Sequence, residues 1–281
     1  MRIFIPLAAI AGFLALASPL AAEITRAPAV KSKQAFKIET FAQGLVHPWG
    51  LGFLPEGRLI VTERPGRMRI IAATGALSPP VRGVPRVYAS GQGGLLDVAL
   101  SPDFAATGLI YLSYAEPREG TKNGTSVARG KLVAEGDGAR LDQVEVIFRQ
   151  EPSYASSMHF GSRVVFMPDG SLFVTLGERY SARTEAQNPA NHLGKLVRLM
   201  PDGSPYPGNP KKDGWQPQIW SIGHRNVQGA ALNPASGKLW TIEHGARGGD
   251  EINIPQAGKN YGWPVITYGR DRKSTRLNSS H

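Results

Sequence analysis

The stretch Arg163–Glu178, RVVFMPDGSLFVTLGE, contains two short apolar runs on either side of the turn residues Pro168, Asp169 and Gly170. Short apolar runs joined by a Pro-Asp-Gly turn are typical of a β-hairpin. Three further stretches have the same arrangement, GLGFLPEGRLIVTE (50–63), DVALSPDFAATGLIYLSY (97–114) and GAALNPASGKLWTIEHG (229–245). Helical spacing of apolar residues over ten or more positions is absent, so we predict an all-β fold.

The spacing of the turns indicates a repeat. The turn prolines Pro55, Pro102, Pro168 and Pro234 are separated by 47, 66 and 66 residues. Each interval has room for one four-stranded blade plus loops, which favours a β-propeller. A β-sandwich with repeated turn chemistry is the alternative. In a propeller, loops of successive blades meet at the mouth of a central channel, so residues far apart in sequence can form one site.

The two ends of the sequence differ from this body. Residues 1–22 combine a basic start, a short apolar run and small residues up to Ala22, which predicts a Sec-type signal peptide and a periplasmic or secreted protein. Residues 271–281, DRKSTRLNSSH, match the translation of a widely used sequencing adapter, so we interpret them as a non-native tail. Between these ends we expect an N-terminal extension at 23–40 and a partial propeller domain at 41–270.

Composition limits the partners and the chemistry. The 281 residues carry a formal net charge of +10 and contain no Cys. A charge this high invites a nucleic-acid interpretation. However, both ends are basic and the body has no longer basic run than Lys211–Lys212, so we expect no nucleic-acid partner. The leader's apolar run is shorter than the roughly 20 residues of a membrane-spanning helix, so we expect no stable membrane span. Without Cys, the chemistry must come from His, carboxylates, Arg or a cofactor.

The third hairpin offers a candidate acid-base pair. His159 precedes its first strand and Glu178 follows its second strand, and these two positions lie at the same end of a hairpin. Glu178 can therefore orient His159 as a general base. A purely structural pair is the alternative.

Two loops next to the fourth hairpin are rich in polar groups. The loop Ser221–Gly229 contains His224, Arg225 and Asn226, and an Arg there can hold a carboxylate or a developing oxyanion, or form a structural salt bridge. The loop Glu243–Glu251 is rich in Gly and acidic residues. Carbonyl and carboxylate oxygens suit Ca²⁺, which takes six to eight oxygen ligands.

Four ordered motifs carry a resemblance to a known family. They are GQGGLLDVALSPDF (91–104), MHFGSRVVFMPDGSLFVTLGE (158–178), GHRNVQG (223–229) and EHGARGGDEINIPQAGKNYGWP (243–264). From about Phe41 to Tyr268 the chain resembles the exported pyrroloquinoline-quinone (PQQ)-dependent aldose sugar dehydrogenases, relatives of soluble glucose dehydrogenase. The resemblance implies a six-bladed β-propeller, with about four to five blades in this chain. It also implies oxidation of aldoses at C1 to lactones, with hydride transfer to PQQ, Ca²⁺ as second cofactor and an external electron acceptor.

The resemblance further implies roles for individual residues. His159 matches the general base, Glu178 the carboxylate that orients it, and Arg225 the group that stabilises charge on the quinone. The other cofactor-binding positions are Gln92, Asn226, His244 and Gly245. The carbonyls of Gly245 and Ala246 match ligands of a catalytic Ca²⁺, and Glu251 and Tyr261 match ligands of a structural Ca²⁺.

The chain departs from the family pattern at several points. Met158 stands where the glucose-specific branch has an Asp that contacts the sugar, so we expect a range of aldoses as substrates. Ala246 stands where Pro is usual. The family's basic residues for the quinone carboxylates lie beyond Arg270, so we expect the chain as written to bind PQQ poorly and to be a piece of a longer protein.

Two other functions stay open at this point. One is a Ca²⁺-dependent lactonase-type propeller hydrolase, and the other is a non-catalytic carbohydrate-binding propeller. The sequence leaves the oligomeric state open between a monomer and a homodimer.

Overall fold

The computed structural model describes residues 34–267. The chain divides into two compact units, residues 1–39 and 40–281. In the first unit, the described residues 34–39 contain an exposed ion pair between Lys37 and Glu39. The predicted signal peptide and the predicted adapter-derived tail lie outside the described residues. All elements below belong to the second unit.

The described part of the second unit consists mainly of strands. These are β1 (Pro48–Phe53), β2 (Leu59–Glu63), β3 (Arg67–Ile71), β4 (Leu95–Leu100), β5 (Leu109–Pro117), β6 (Asn123–Glu135), β7 (Gly138–Arg149), β8 (Gly161–Phe166), β9 (Leu172–Leu176), β10 (Lys195–Leu199), β11 (Ile219–Ile222), β12 (Val227–Asn233), β13 (Lys238–Glu243) and β14 (Glu251–Asn253). One short helix, α1 (Phe104–Thr107), and two 3₁₀ turns, Pro55–Gly57 and Arg183–Gln187, complete the elements. The all-β prediction is confirmed. Within residues 34–267, no helix is long and apolar enough to span a membrane.

The strands form four antiparallel sheets, and each sheet follows chain order. Sheet 1 is β1-β2-β3, sheet 2 is β4-β5-β6-β7, sheet 3 is β8-β9-β10-β11, and sheet 4 is β12-β13-β14. The four predicted hairpins are the first hairpins of the four sheets, β1-β2, β4-β5, β8-β9 and β12-β13. The hairpin prediction is therefore confirmed.

The connections differ from the prediction in two places. The second hairpin contains the helix α1 in its turn, which ends at Gly108 in the left-handed conformation. The predicted loop Ser221–Gly229 is wrong at both ends. Ser221 belongs to β11 and pairs with Leu196 of β10, while β12 begins at Val227, so the loop itself is only four residues long. The apolar stretch of β11 is too short to be recognised as a strand by periodicity alone.

Neighbouring sheets pack face to face in chain order. Sheets 1 and 2 share an apolar core that includes Ile60 and Leu112, and sheets 2 and 3 share one that includes Tyr111 and Leu172. Sheets 3 and 4 meet at a smaller core around Leu239. The first strand of each sheet lies beside the first strand of the next. Successive blades of a propeller pack in this way, with their first strands innermost.

The outward faces of the first and last sheets are apolar. On β1, Leu51 and Phe53 are exposed while the intervening Gly52 packs against sheet 2. On sheet 4, Trp240, Ile242 and Ile252 are exposed on the face opposite to the one that packs against sheet 3. Large apolar side chains on a contiguous sheet face usually mark a surface that another element covers.

Candidate active site

Loops at one end of sheets 2, 3 and 4 line an open cavity of about 860 Å³. Small-molecule sites commonly have volumes of roughly 300–1,000 Å³. The cavity is lined by Gln92, Met158, His159, Glu178, Tyr180, Ser181, Arg183, Arg225, Asn226, Gln228, His244, Gly245, Ala246, Arg247 and Trp263. The structure thus brings together every predicted catalytic and cofactor-binding residue and two of the four predicted metal ligands.

The sheet topology explains this convergence. Gln92, His159 and Arg225 come shortly before the first strands of sheets 2, 3 and 4, while Glu178 and His244 follow the second strands of sheets 3 and 4. In an antiparallel hairpin, the start of the first strand and the end of the second lie at the same edge. Because the first strands of neighbouring sheets are adjacent, these loops surround one space.

The His159 imidazole is buried against a buried carboxylate. Its Nδ1 lies 2.8 Å from Oε1 of Glu178. The backbone N–H of His159 donates to Oε1 of Gln92 at 2.8 Å, and the residue has a φ of +54°. Gly177 leaves room for this loop, because a Cβ there would collide with the carbonyl oxygen of His159. With Nδ1 held by a carboxylate, Nε2 is the nitrogen that can exchange a proton with a ligand.

A second ring lies against the imidazole. The rings of Tyr180 and His159 are 5.3 Å apart between centroids and meet edge to face at 79°. Oε2 of Glu178 is buried and has no hydrogen-bond partner among the described residues. A buried carboxylate oxygen without a partner raises the cost of burial unless a ligand or water reaches it.

Arg225 contributes a guanidinium group to the same cavity. Its Nη1 donates to the carbonyl oxygen of His244 at 3.0 Å, and its guanidinium carbon lies 5.2 Å from the centre of the Trp263 ring. Its Nε is buried and lacks a partner among the described residues. Burial lowers the pKa of this guanidinium. An unpaired donor on a cation is a position for an acceptor oxygen of a ligand.

Asn226 and His244 connect the cavity walls. Oδ1 of Asn226 accepts a hydrogen bond from the N–H of Gly161 at 3.0 Å, which ties the loop of sheet 4 to the start of β8. The His244 N–H donates to the carbonyl of Asn226 at 3.2 Å, and Nε2 of His244 lies 2.9 Å from Oε1 of Gln228. These contacts fix both side chains at the cavity surface.

The loop after β13 offers oxygen donors. The N–H of Gly245 donates to Oδ1 of Asp250 at 2.7 Å, and a Cβ at position 245 would collide with the carbonyl oxygens of Gly248 and Gly249. The loop therefore folds back on itself and concentrates carbonyl and carboxylate oxygens beside the cavity. This oxygen donor set fits Ca²⁺. Residues 34–267 contain no group of three or more His, Asp or Glu side chains that could hold a metal, so backbone oxygens would have to contribute.

The other two predicted metal ligands, Glu251 and Tyr261, do not line the cavity. Oε2 of Glu251 accepts from Nδ2 of Asn253 at 3.1 Å, and burial raises the pKa of this carboxyl group. The Tyr261 hydroxyl accepts from the N–H of Gln256 at 3.0 Å and donates to the carbonyl of Ile254 at 3.1 Å. The hydroxyl of Tyr261 thus already has two protein partners.

Several lining residues carried no predicted role. Tyr180, Ser181 and Arg183 lie in the segment that continues after Glu178, so this continuation was the available signal. Trp263 lies in the quoted motif 243–264 but gives no local sign that it reaches a loop before β12.

The family model described as glucose/sorbosone dehydrogenase matches residues 45–281. The chain belongs to the glucose/sorbosone dehydrogenase family. The resemblance inferred from the sequence motifs is therefore confirmed.

Relatives in this family are similar over most of the chain. The aldose sugar dehydrogenase YliI of Escherichia coli K12 is 48% identical over 235 residues, which are 83% of this chain and 62% of that protein. A crystal structure of a glucose dehydrogenase is 52% identical with a TM-score of 0.79, over 83% of this chain and 67% of that one. The PQQ-bound aldose sugar dehydrogenase of Streptomyces coelicolor is 34% identical with a TM-score of 0.73, over 84% of this chain and 67% of that one.

The chain spans less than two thirds of the length of curated family members. The matched share is 62%, 59% and 54% for three of them.

Proposed function

We propose that the protein is a PQQ-dependent dehydrogenase that oxidises aldose sugars at C1 to lactones. The observation that carries this proposal is the buried His159–Glu178 pair in one cavity with the unpaired donor of Arg225. The PQQ-bound structure of a relative from Streptomyces coelicolor supports the choice of cofactor.

His159 is the general base of the proposed reaction. Its Nε2 takes the proton of the C1 hydroxyl, while Glu178 orients the ring and stabilises the imidazolium that forms. Bound PQQ supplies the acceptor for the hydride that leaves C1, so the sugar loses two electrons and two hydrogens and becomes a lactone. A positioned base of this kind contributes roughly 10²–10⁴-fold to a rate.

The cavity has residues that would hold the quinone. Arg225 would direct its unpaired Nε toward a quinone oxygen, and Gln92, Asn226 and His244 would line the cofactor site with Gly245. The carbonyls of Gly245 and Ala246 would bind a catalytic Ca²⁺. Glu251, through its carboxylate, and Tyr261, through its backbone carbonyl because its hydroxyl already has two protein partners, would bind a structural Ca²⁺ outside the cavity.

The sugar site is broad in this proposal. Met158 lines the cavity with a side chain that forms no directional hydrogen bonds with a hydroxyl group. A flexible thioether tolerates sugars of different configuration better than a fixed carboxylate does. We therefore propose several aldoses as substrates, and an external electron acceptor that reoxidises the cofactor.

We also propose a six-bladed propeller. The support is that four sheets pack successively through their faces, and that the outward faces of the first and last sheets are apolar. The proposed location is the periplasm or the exterior, and the assembly is a monomer or a homodimer.

The test is dye reduction by aldoses. The protein is expressed from its complete gene, loaded with PQQ and Ca²⁺, and assayed with a panel of aldoses and an artificial electron acceptor. We expect aldose-dependent dye reduction that requires PQQ. A lactonase would instead hydrolyse lactones with Ca²⁺ alone, and a binding protein would bind sugar without turnover. Absence of dye reduction with every aldose overturns the proposal.

A further inference from the structure

Arg179, the residue after Glu178, is a fully buried cation next to the cavity. Burying a guanidinium is costly unless its N–H groups find acceptors. Nε donates to the carbonyl of Met158 at 3.1 Å, and Nη1 donates to the carbonyl of Asn123 at 3.3 Å. Nη2 donates to Oδ1 of Asn123 at 2.6 Å and to the carbonyl of Ser156 at 2.5 Å. Burial lowers the pKa of Arg179 to about 10, so the group stays charged at neutral pH.

Two of these acceptors belong to the segment that leads into His159. The carbonyls of Ser156 and Met158 are fixed by the guanidinium, and its carbon lies 3.9 Å from the centre of the Phe160 ring. Arg179 thus contacts the residue before His159 and the residue after it.

The backbone neighbours of Arg179 contact the imidazole itself. Glu178 lies 2.8 Å from Nδ1 of His159, and the Tyr180 ring meets the imidazole edge to face. Arg179 and Tyr180 have φ values of +64° and +68°. The left-handed backbone is unfavourable for residues other than Gly, so this loop needs contacts that hold it. The Arg179 side chain supplies such contacts.

We infer that Arg179 is a positioning residue that holds the His159 imidazole in place between Glu178 and Tyr180. It braces two loops: the one that carries His159 and the one that carries its two ring partners. Its effect on turnover rests on the proposed function, whereas its effect on the His159–Glu178 hydrogen bond does not.

Arg198, in β10 of sheet 3, provides a matched control. It is also buried and its guanidinium carbon lies 4.8 Å from the centre of the Phe173 ring. Its Nε donates to Oγ of Ser171 at 2.9 Å and its Nη2 donates to Oδ2 of Asp169 at 2.7 Å. Arg198 does not line the cavity. Replacing it removes a comparable buried cation without touching His159.

The experiment compares Arg179→Lys and Arg179→Met with Arg198→Lys and Arg198→Met in the protein expressed from its complete gene. The first readout is the NMR signal of the hydrogen-bonded His159 Nδ1 proton in quinone-free, ¹⁵N-histidine-labelled protein, assigned with His159→Gln. The second is kcat and KM for an aldose after PQQ and Ca²⁺ are added. The third is Tm.

We expect both Arg179 variants to shift or broaden the His159 signal and to lower kcat by about tenfold to a hundredfold, since small displacements of a catalytic group cost rates of this order. Lys keeps the positive charge but lacks the planar set of N–H donors. Arg179→Lys should therefore lower kcat less than Arg179→Met does. The Arg198 variants should have a lower Tm than wild type, with an unchanged His159 signal and an unchanged kcat. If Arg179→Met does not fold, the comparison of Arg179→Lys with Arg198→Lys tests the inference.

An unchanged His159 signal in Arg179→Lys, or the same change in Arg198→Lys, overturns the inference. A shifted signal in a protein that oxidises no aldose would leave the positioning role intact and reject the proposed function.

Discussion

The backbone N–H of Glu178 donates a hydrogen bond to the carbonyl oxygen of Arg225 at 3.0 Å. The residue that orients His159 and the residue with the unpaired donor are therefore linked directly, across the junction of sheets 3 and 4. The Glu243 carboxylate holds the other side of Arg225, since it accepts from the Arg225 N–H and lies 3.0 Å from Nδ1 of His224. The cavity is thus built on contacts between sheets.

Replacing Glu178 with Gln removes the charge that orients His159. We expect Glu178→Gln to lower kcat at least about tenfold, because an imidazolium beside a neutral amide is less stabilised. Steady-state kinetics of the PQQ-loaded protein measure this. Glu116 is a suitable control because it pairs with Arg118 and Arg149 outside the cavity, and Glu116→Gln should leave kcat unchanged. Equal kcat in Glu178→Gln and wild type would count against the role of Glu178.

Arg225→Lys tests whether the planar guanidinium group of Arg225 binds the quinone. Lys cannot present a planar set of donors or cover the Trp263 ring in the same way, so we expect the Kd for PQQ to rise by about tenfold or more. Arg198→Lys is the control, because Arg198 lies over the Phe173 ring, pairs with Asp169 and does not line the cavity. A fluorescence titration with PQQ measures both. A similar Kd in wild type and Arg225→Lys would contradict the assignment.

Gly245→Ala tests the oxygen-rich loop. The added Cβ would collide with the carbonyls of Gly248 and Gly249, so the loop must move and its carbonyl oxygens with it. We expect the gain in Tm on adding Ca²⁺ to be lost. At Gly138 an added Cβ makes only ordinary contacts, so Gly138→Ala should keep the gain. A full Ca²⁺-dependent Tm gain in Gly245→Ala would exclude this loop as a Ca²⁺ site.

The burial of His192 predicts that the stability of the folded protein depends on pH. Burial lowers the pKa of His192 from 6.5, and its Nδ1 accepts a hydrogen bond from the N–H of Glu151 at 3.1 Å. Below pH 6.5 the unfolded state binds more protons than the folded state, so stability falls as the pH falls. His192→Asn keeps an acceptor and does not titrate. We expect the Tm difference between wild type and His192→Asn to be constant above about pH 7 and to narrow toward about pH 5. A constant difference across this range would contradict the prediction.

The hairpins and the His159–Glu178 contact could be predicted from sequence because both depend on local pattern. A Pro-containing turn fixes which strand ends meet, and the ends of one hairpin carry both side chains. The long strands β6 and β7 gave no such signal, since they meet at Gly136 without a Pro and mix polar and apolar residues.

The burial of Arg179 could not be predicted for a different reason. A charged residue in a loop is normally exposed. Its acceptors at Asn123 and Ser156 are 56 and 23 residues away in sequence, so only the packing of sheets 2 and 3 brings them together. Trp263 is likewise brought to Arg225 by tertiary packing alone.

The most direct test of the account is a single-turnover measurement. PQQ-loaded wild type and His159→Gln, both expressed from the complete gene, are mixed anaerobically with an aldose, and the absorbance of the oxidised quinone is followed. We expect aldose-dependent loss of this absorbance in wild type, slower by roughly 10²–10⁴-fold in His159→Gln at the same sugar affinity. Equal rates in the two proteins, or no aldose-dependent change in wild type, would contradict the account.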